Sequence, residues 1–206
     1  MRIVCVSDTH TFEYAHHVPE GDVLIHAGDV SLAGTFYEVR RELDIINSFP
    51  HKHKILVPGN HDWIFQNNIE KITPCLKQIH CLINRDITID TFKFWGSPYQ
   101  PWFLNWAFNL PRGEPLARIW ANIPDELDVL ITHSPPYKRL DKVPNGDEVG
   151  CHDMRQRVDI VKPKLHVFGH IHHSYGQMKV GGTIFVNASV CNEGYQPINR
   201  PIVIDL

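Results

Sequence analysis

Asp22-Val-Leu-Ile-His-Ala-Gly-Asp29 and Lys54-Ile-Leu-Val-Pro-Gly-Asn-His-Asp62 bound the stretch, residues 22–62, whose reading decides the fold. Each segment is a short apolar run of strand type that breaks on glycine just before a polar, metal-capable side chain. Between them, Phe36, Val39, Leu43 and Ile46 recur at spacings of three and four, with Glu38, Arg40, Arg41, Glu42 and Asp44 on the other faces. That period predicts a helix over residues 35–48. Thr35 is its expected N-cap, Glu38 completes a capping box, and Pro50 lies just past its end. Strand, helix, strand predicts parallel neighbours joined by a right-handed crossover.

Working outward, residues 2–7 (RIVCVS), 129–132 (VLIT) and 165–168 (LHVF) read as further buried strands. Residues 87–89 and 92–95 read as a hairpin, and residues 112–122 and 151–161 as helices. A weaker helix is expected over 69–78, interrupted at Pro74, with short strands at 177–180, 183–187 and 202–206. No repeat or linker divides the chain, so one domain spanning 1–206 is expected. An alternating first part and a strand-rich end predict the α/β class, with two sheets packed face to face and helices outside.

At 206 residues the chain can bury a core without disulfides. Its net charge of −3, without a basic run, excludes an electrostatic surface for wrapping nucleic acid. Small phosphate-bearing substrates remain open, since bound cations can supply positive charge locally. Five cysteines without CxxC spacing (Cys5, Cys75, Cys81, Cys151, Cys191) suit a reducing compartment, and no apolar run approaches the roughly 18 residues of a membrane span. A soluble cytoplasmic protein is expected.

The loops after the strands carry the chemistry. In order they are Asp8-Thr-His10, Gly28-Asp29, Gly59-Asn-His-Asp62, Thr132-His133 and Gly169-His-Ile-His172. Any one of them could be a polar turn; five in succession at strand ends point to a site for two metal ions. Asp8, His10, Asp29, Asn60, His133, His170 and His172 are the candidate ligands, and a carboxylate such as Asp29 could bridge. Carboxylate, imidazole and amide together suit manganese, iron, zinc or nickel better than calcium. Two ions about 3.5–4 Å apart can hold a hydroxide and clamp phosphate oxygens. The leaving oxygen then needs a proton, and His61, next to Asn60, is the candidate general acid. Of the other histidines, His16, His17, His51, His53, His80, His152 and His173 read as surface or loop residues. His26 and His166 fall in strand runs as core or supporting groups.

The order DxH, GD, GNH(D/E), H, GHxH resembles the signature of the calcineurin-like metallophosphoesterases. The metallophosphoesterase-domain-containing (MPPED-like) branch is closer still. Its resemblance runs through Trp95-Gly-Ser-Pro-Tyr-Gln-Pro-Trp-Phe, Phe108-Asn-Leu-Pro-Arg-Gly, Thr132-His-Ser-Pro-Pro and Pro163-Lys-Leu-His-Val-Phe-Gly-His-Ile-His. It continues in Val186-Asn-Ala-Ser-Val-Cys and Pro201-Ile-Val-Ile-Asp-Leu. The resemblance covers essentially the whole chain. It implies an αββα sandwich, with Asp8, His10, Asp29 and His172 on one ion and Asp29, Asn60, His133 and His170 on the other. It implies His61 as proton donor, manganese (or iron, zinc, nickel or magnesium) as activating ion, and small phosphodiesters, cyclic nucleotides foremost, as substrates. The chain departs from the pattern at Tyr99, where tryptophan is common, and at His173, where an acidic residue is expected; both bear on substrate preference. Asp62 is expected to orient His61 or to serve a helix N-terminus.

Trp95, Tyr99, Trp102, Phe103, Trp106 and Phe108 crowd one segment, readable as a stacking wall over the site or as a loop packed on the sandwich or in a homodimer interface. Residues 134–150, with two prolines and two glycines, are the expected mobile rim. The competing functions are a phosphomonoesterase and a non-catalytic scaffold; a nuclease is weaker still.

Overall fold

A computed structural model describes residues 1–14 and 17–206; the surface expectation for His16 lies outside them. The first half supplies β1 (Arg2–Val6), β2 (Val23–His26), α1 (Phe36–Ser48), β3 (His53–Leu56), α2 (Trp63–Asn67), α3 (Ile69–Leu76) and β4 (Ile79–Cys81). Then follow β5 (Arg85–Ile89), β6 (Phe92–Ser97), the two-residue strands β7 (Gln100–Pro101) and β8 (Asn109–Leu110), α4 (Glu114–Trp120) and β9 (Val129–Thr132). The chain closes with α5 (His152–Val161), β10 (Leu165–Phe168), a 3₁₀ turn at His172–Ser174, β11 (Gly176–Val180), β12 (Thr183–Asn187) and β13 (Ile202–Asp205).

One sheet has the order β13-β1-β2-β3-β4, the other β11-β12-β10-β9-β6-β5, with β7 and β8 paired apart. β1 to β4 run parallel in the first sheet, and β6, β9, β10 and β12 in the second; antiparallel strands close the edges where β13, β11 and β5 lie. Strand alternation sorts the apolar runs into layers. Ile3, Cys5, Ile25 and Ile55 meet Phe94, Val129, Ile131 and Val167 between the sheets. Val4, Leu24 and Leu56 face the other way, against Val39, Leu43 and Ile46 of α1. Trp95, Leu130, Phe168 and Phe185 cover the far side, against Leu116 and Trp120 of α4 and Met154 and Val158 of α5. The result is a helix–sheet–sheet–helix stack. Strands buried on both faces are why these segments read as near-continuous apolar runs.

Thr35 caps α1 in a capping box with Glu38, as its sequence predicts. Three expectations need correction. α3 runs through Pro74 to Leu76; the proline forfeits one helical bond, and the helix stops two residues on, where Lys77 takes φ 51°. α4 begins only at Glu114, because Gly113 (φ 87°) precedes it and Pro115 favours a first turn. His51 is buried rather than on the surface, and His53 is half-buried on β3. Among the described residues no helix is long and apolar enough to cross a membrane.

Candidate metal centre

The five loops all leave the carboxyl ends of parallel strands, three from the first sheet and two from the second, and meet along one edge of the sandwich. Asp8 (φ 54°), His10 (φ 46°), Asp29 (φ 55°) and His170 (φ 67°) are left-handed, which is how residues just past a strand turn back toward a shared centre. Asp and His tolerate this conformation better than most non-glycine residues, yet it still carries strain, which clusters at functional sites. Backbone also passes very close to the carboxylates. A Cβ on Gly59 would collide with the Asp29 carboxylate and backbone amide, and one on Gly169 with the Asp8 carboxylate. Gly59→Ala therefore displaces Asp29, and metal affinity is expected to fall by about 10–100-fold, as for other losses of supporting geometry. Metal content after dialysis against a limiting ion concentration checks this.

Proton placement shows what the centre is shaped to hold. Nδ1 of His10, His61, His133 and His172 lies 3.2, 2.6, 3.0 and 2.9 Å from the carbonyls of Ser31, Leu32, Ala27 and Asn192. A carbonyl only accepts, so each Nδ1 carries hydrogen, and the neutral rings of His10, His133 and His172 turn a bare Nε2 inward. Those nitrogens face one another and other acceptors. His10 Nε2 is 3.4 Å from His172 Nε2, and His133 Nε2 is 2.9 Å from Asn60 Oδ1 and 3.4 Å from Asp29 Oδ2. His172 Nε2 lies 3.2 Å from Asp8 Oδ1. Converging lone pairs in a buried place require cations between them. The donor set fits divalent metal ions, with Asp8, His10 and His172 in one cluster, Asp8, Asp29 and His133 in another, and His10 and Asp29 also close to His61. Asn60 joins through its amide. His170 stands in the cavity wall with its ring 5.1 Å from that of His133, while its backbone amide donates to both Asp8 oxygens at 3.1 and 3.0 Å.

Without ions, protons take their place. Burial opposes any charge here, but Asp29 lifts His133 to about 9 and Asp8 lifts His172 to about 9, while the carboxylates fall well below their ordinary range. Burial pushes His10 down, and His170 down to about 3, so both stay neutral. Metal binding near pH 7 must therefore expel protons from His133 and His172. Affinity is expected to rise with pH up to about 9 and to level off beyond. Titration calorimetry in buffers of different ionisation heat reads the proton release; a buffer-independent heat would contradict it.

Asp62 does not touch His61. Its carboxylate accepts from Gly59 N at 2.8 Å, Ser31 N at 3.0 Å and Ser31 Oγ at 2.6 Å, so it ties the Asn60 loop to the Asp29 loop. His26 does similar work, accepting from Gly28 N at 3.3 Å on Nδ1 and meeting Thr9 Oγ1 at 3.0 Å on Nε2. His166 meets Thr132 Oγ1 at 2.9 Å, beside His133. Ser189, not singled out in the sequence, donates to Asp8 at 2.9 Å.

The centre opens into a cavity of about 590 Å³. Trp102, Phe103 and Trp106 form one wall, and Pro135, Val143, Pro144 and Val149 of the 134–150 loop the other. Trp95 and Phe108 are packed in the core and Tyr99 against it, so the aromatic segment divides between both of its readings. Tyr195 was missed. Its ring meets those of His10 at 4.8 Å and His172 at 5.7 Å, and nothing in the GYQ context marks it in advance. His173 pairs with Glu193 at 2.8 Å on the rim, so an acidic residue is present there after all, from another loop.

The sequence model of the family described as calcineurin-like phosphoesterase matches residues 1–174. Human metallophosphoesterase domain-containing protein 1 is 43% identical over all of this chain and 71% of its own length. A Caenorhabditis elegans protein, UPF0046 protein K07C11.7, is 38% identical over 98% of this chain and 74% of its own. Among solved structures, TT1561 of Thermus thermophilus superposes with a TM-score of 0.65 at 15% identity, over 90% of this chain and 88% of that one, a likeness of fold alone. A sandwich of this topology, a buried carboxylate–imidazole centre at its strand ends and full-length identity at this level agree: the chain belongs to the calcineurin-like phosphoesterases, metal-dependent hydrolases of phosphate esters, in their metallophosphoesterase-domain-containing branch.

Proposed function

We propose that this protein hydrolyses small phosphodiesters, cyclic nucleotides foremost, with two divalent ions (manganese the leading candidate) and His61 as general acid. The observation that carries the diester reading is the charge of the cavity. Among the described residues lining it, Arg112 is the one arginine or lysine, and its guanidinium is spent on the carbonyls of Gly150 at 2.8 Å and Val149 at 2.7 Å. Glu193 adds negative charge at the rim. A monoester brings a second negative charge, for which the lining offers one cation, Arg112, already anchored to backbone carbonyls, whereas a diester brings one. The exposed faces of Trp102 and Phe103 offer flat apolar surface to a nucleobase.

Asp8, His10, Asp29, Asn60, His133, His170 and His172 would hold the ions. The chemistry the ions supply is neutralisation of charge on the phosphate and ionisation of water near neutral pH. The chain's own residues do the rest. Asp29 orients the His61 loop by accepting its backbone amide at 2.8 Å. The Leu32 carbonyl holds His61 by Nδ1, so the doubly protonated ring gives its Nε2 proton to the leaving oxygen as the P–O bond breaks and is left neutral with hydrogen on Nδ1. Five free cysteines support a reducing cytosolic setting.

The test is a panel of 2′,3′- and 3′,5′-cyclic nucleotides, mononucleotides, and an aryl diester with its matching monoester, run on protein of measured metal content. Diester turnover is expected to exceed that of the monoester. The reverse preference would establish the phosphomonoesterase reading in its place.

A further inference from the structure

The Leu32 carbonyl fixes one end of the His61 ring but leaves it able to rock about that bond. A second contact opposes rocking. The Trp106 side chain lies nearly parallel to the imidazole, 26° between planes and 4.0 Å between ring centroids, while the His10 ring meets it edge-on at 4.7 Å. Held so, His61 Nε2 sits 4.0 Å from Asp29 Oδ2, on the side of the metal centre. Trp106 is half-buried and does not ride on a free loop. The next amide, of Ala107, donates to the Asn60 carbonyl at 3.1 Å, and that of Phe108 donates to Gln66 Oε1. Asn109 closes the other end of the segment through the carbonyls of Phe103 and Leu104. The segment carrying the indole is thus fastened to the very loop that carries Asn60 and His61.

We propose that Trp106 is the positioning residue of His61: its stacked indole keeps the imidazole turned so that Nε2 faces the leaving oxygen of the ester. The inference rests on the reading of His61 as the acid, and adds that a residue outside every ligand motif sets its aim. Proton transfer requires the donor within hydrogen-bond reach of the leaving oxygen. A misplacement of about 1 Å can cost about 10²-fold in rate.

The test compares Trp106→Leu, Trp106→Phe and His61→Ala, all loaded with Mn²⁺ and with metal content measured, on phosphodiesters having phenol or p-nitrophenol as leaving group. Trp106→Leu is expected to lower kcat by about tenfold or more for phenol and by less than about twofold for p-nitrophenol, which departs without protonation. KM and metal content stay unchanged, and Trp106→Phe, which keeps a flat face, restores most of the loss. Equal loss for both leaving groups, or loss without rescue by phenylalanine, marks a merely structural role and overturns the proposal. A leaving-group-dependent loss in His61→Ala beside an unaffected Trp106→Leu rejects the positioning role and spares the acid. A His61→Ala loss that is the same for both esters removes the acid and the proposal together. The unaltered protein offers an independent reading by NMR: the His61 ring protons are expected upfield under the indole ring current, and ordinary positions would overturn the stack.

Discussion

Replacing Asp29 by alanine is expected to lower metal-dependent turnover by about 10³-fold or more, ~4 kcal/mol of barrier, while the domain stays folded. Three separate contacts converge on this carboxylate. It lies 3.4 Å from His133 Nε2 and 3.8 Å from His10 Nε2, and it accepts the His61 amide at 2.8 Å. Its loss therefore takes a carboxylate from the cluster with Asp8 and His133 and from the group with His10 and His61, and loosens the His61 loop. Unfolding is not expected, although Asp29 is buried, because His133 owes its raised pKa to Asp29 and can shed its proton once the partner is gone. No uncompensated buried charge remains. The pH dependence of metal-free stability gives a second reading. Asp29 has a depressed pKa, so its contribution is present above about pH 4, the unfolded value, and is lost as pH falls through the folded one. The acid limb of the melting temperature should be shallower in Asp29→Ala than in the unaltered protein.

His61→Ala should separate the acid from the ligands. Its Nδ1 is held by the Leu32 carbonyl and its ring by Trp106, and truncation leaves Asp8, Asp29 and His133 untouched. Metal content is expected to be retained, with a fall in kcat of about 10²–10⁴-fold for esters with poor leaving groups and far less for p-nitrophenyl esters. Loss of metal along with rate would instead make His61 a ligand, a reading its proximity to His10 and Asp29 makes worth measuring. The two variants thus have opposite signatures: Asp29→Ala loses all substrates alike, and His61→Ala loses them in order of leaving-group basicity.

Much of this architecture was legible in the sequence because its devices are local. The capping box at Thr35 and Glu38 and the buried strand runs act within a few residues of themselves, and the glycines before Asp29, Asn60 and His170 are visible as residue types even though the groups they make room for lie far along the chain. What was not legible depends on partners far along the chain. Ser189 reaches Asp8 across 181 residues, and Asp62 turns away from His61 to staple Ser31, 31 residues earlier. Tyr195 meets His10 only because the last loop folds over the strand ends. The aromatic segment misled for a related reason. Composition marks it as apolar throughout, but which rings face the core and which face the cavity is set by the short pairing of β7 with β8.

The central claim, phosphodiester hydrolysis at a two-ion centre, is met most directly by titrating Mn²⁺ into chelator-stripped protein while following hydrolysis of an aryl phosphodiester. Turnover is expected to be absent in the stripped protein and to rise to saturation at about two ions per chain. Undiminished turnover without metal, or full activity at about one ion per chain, would contradict it.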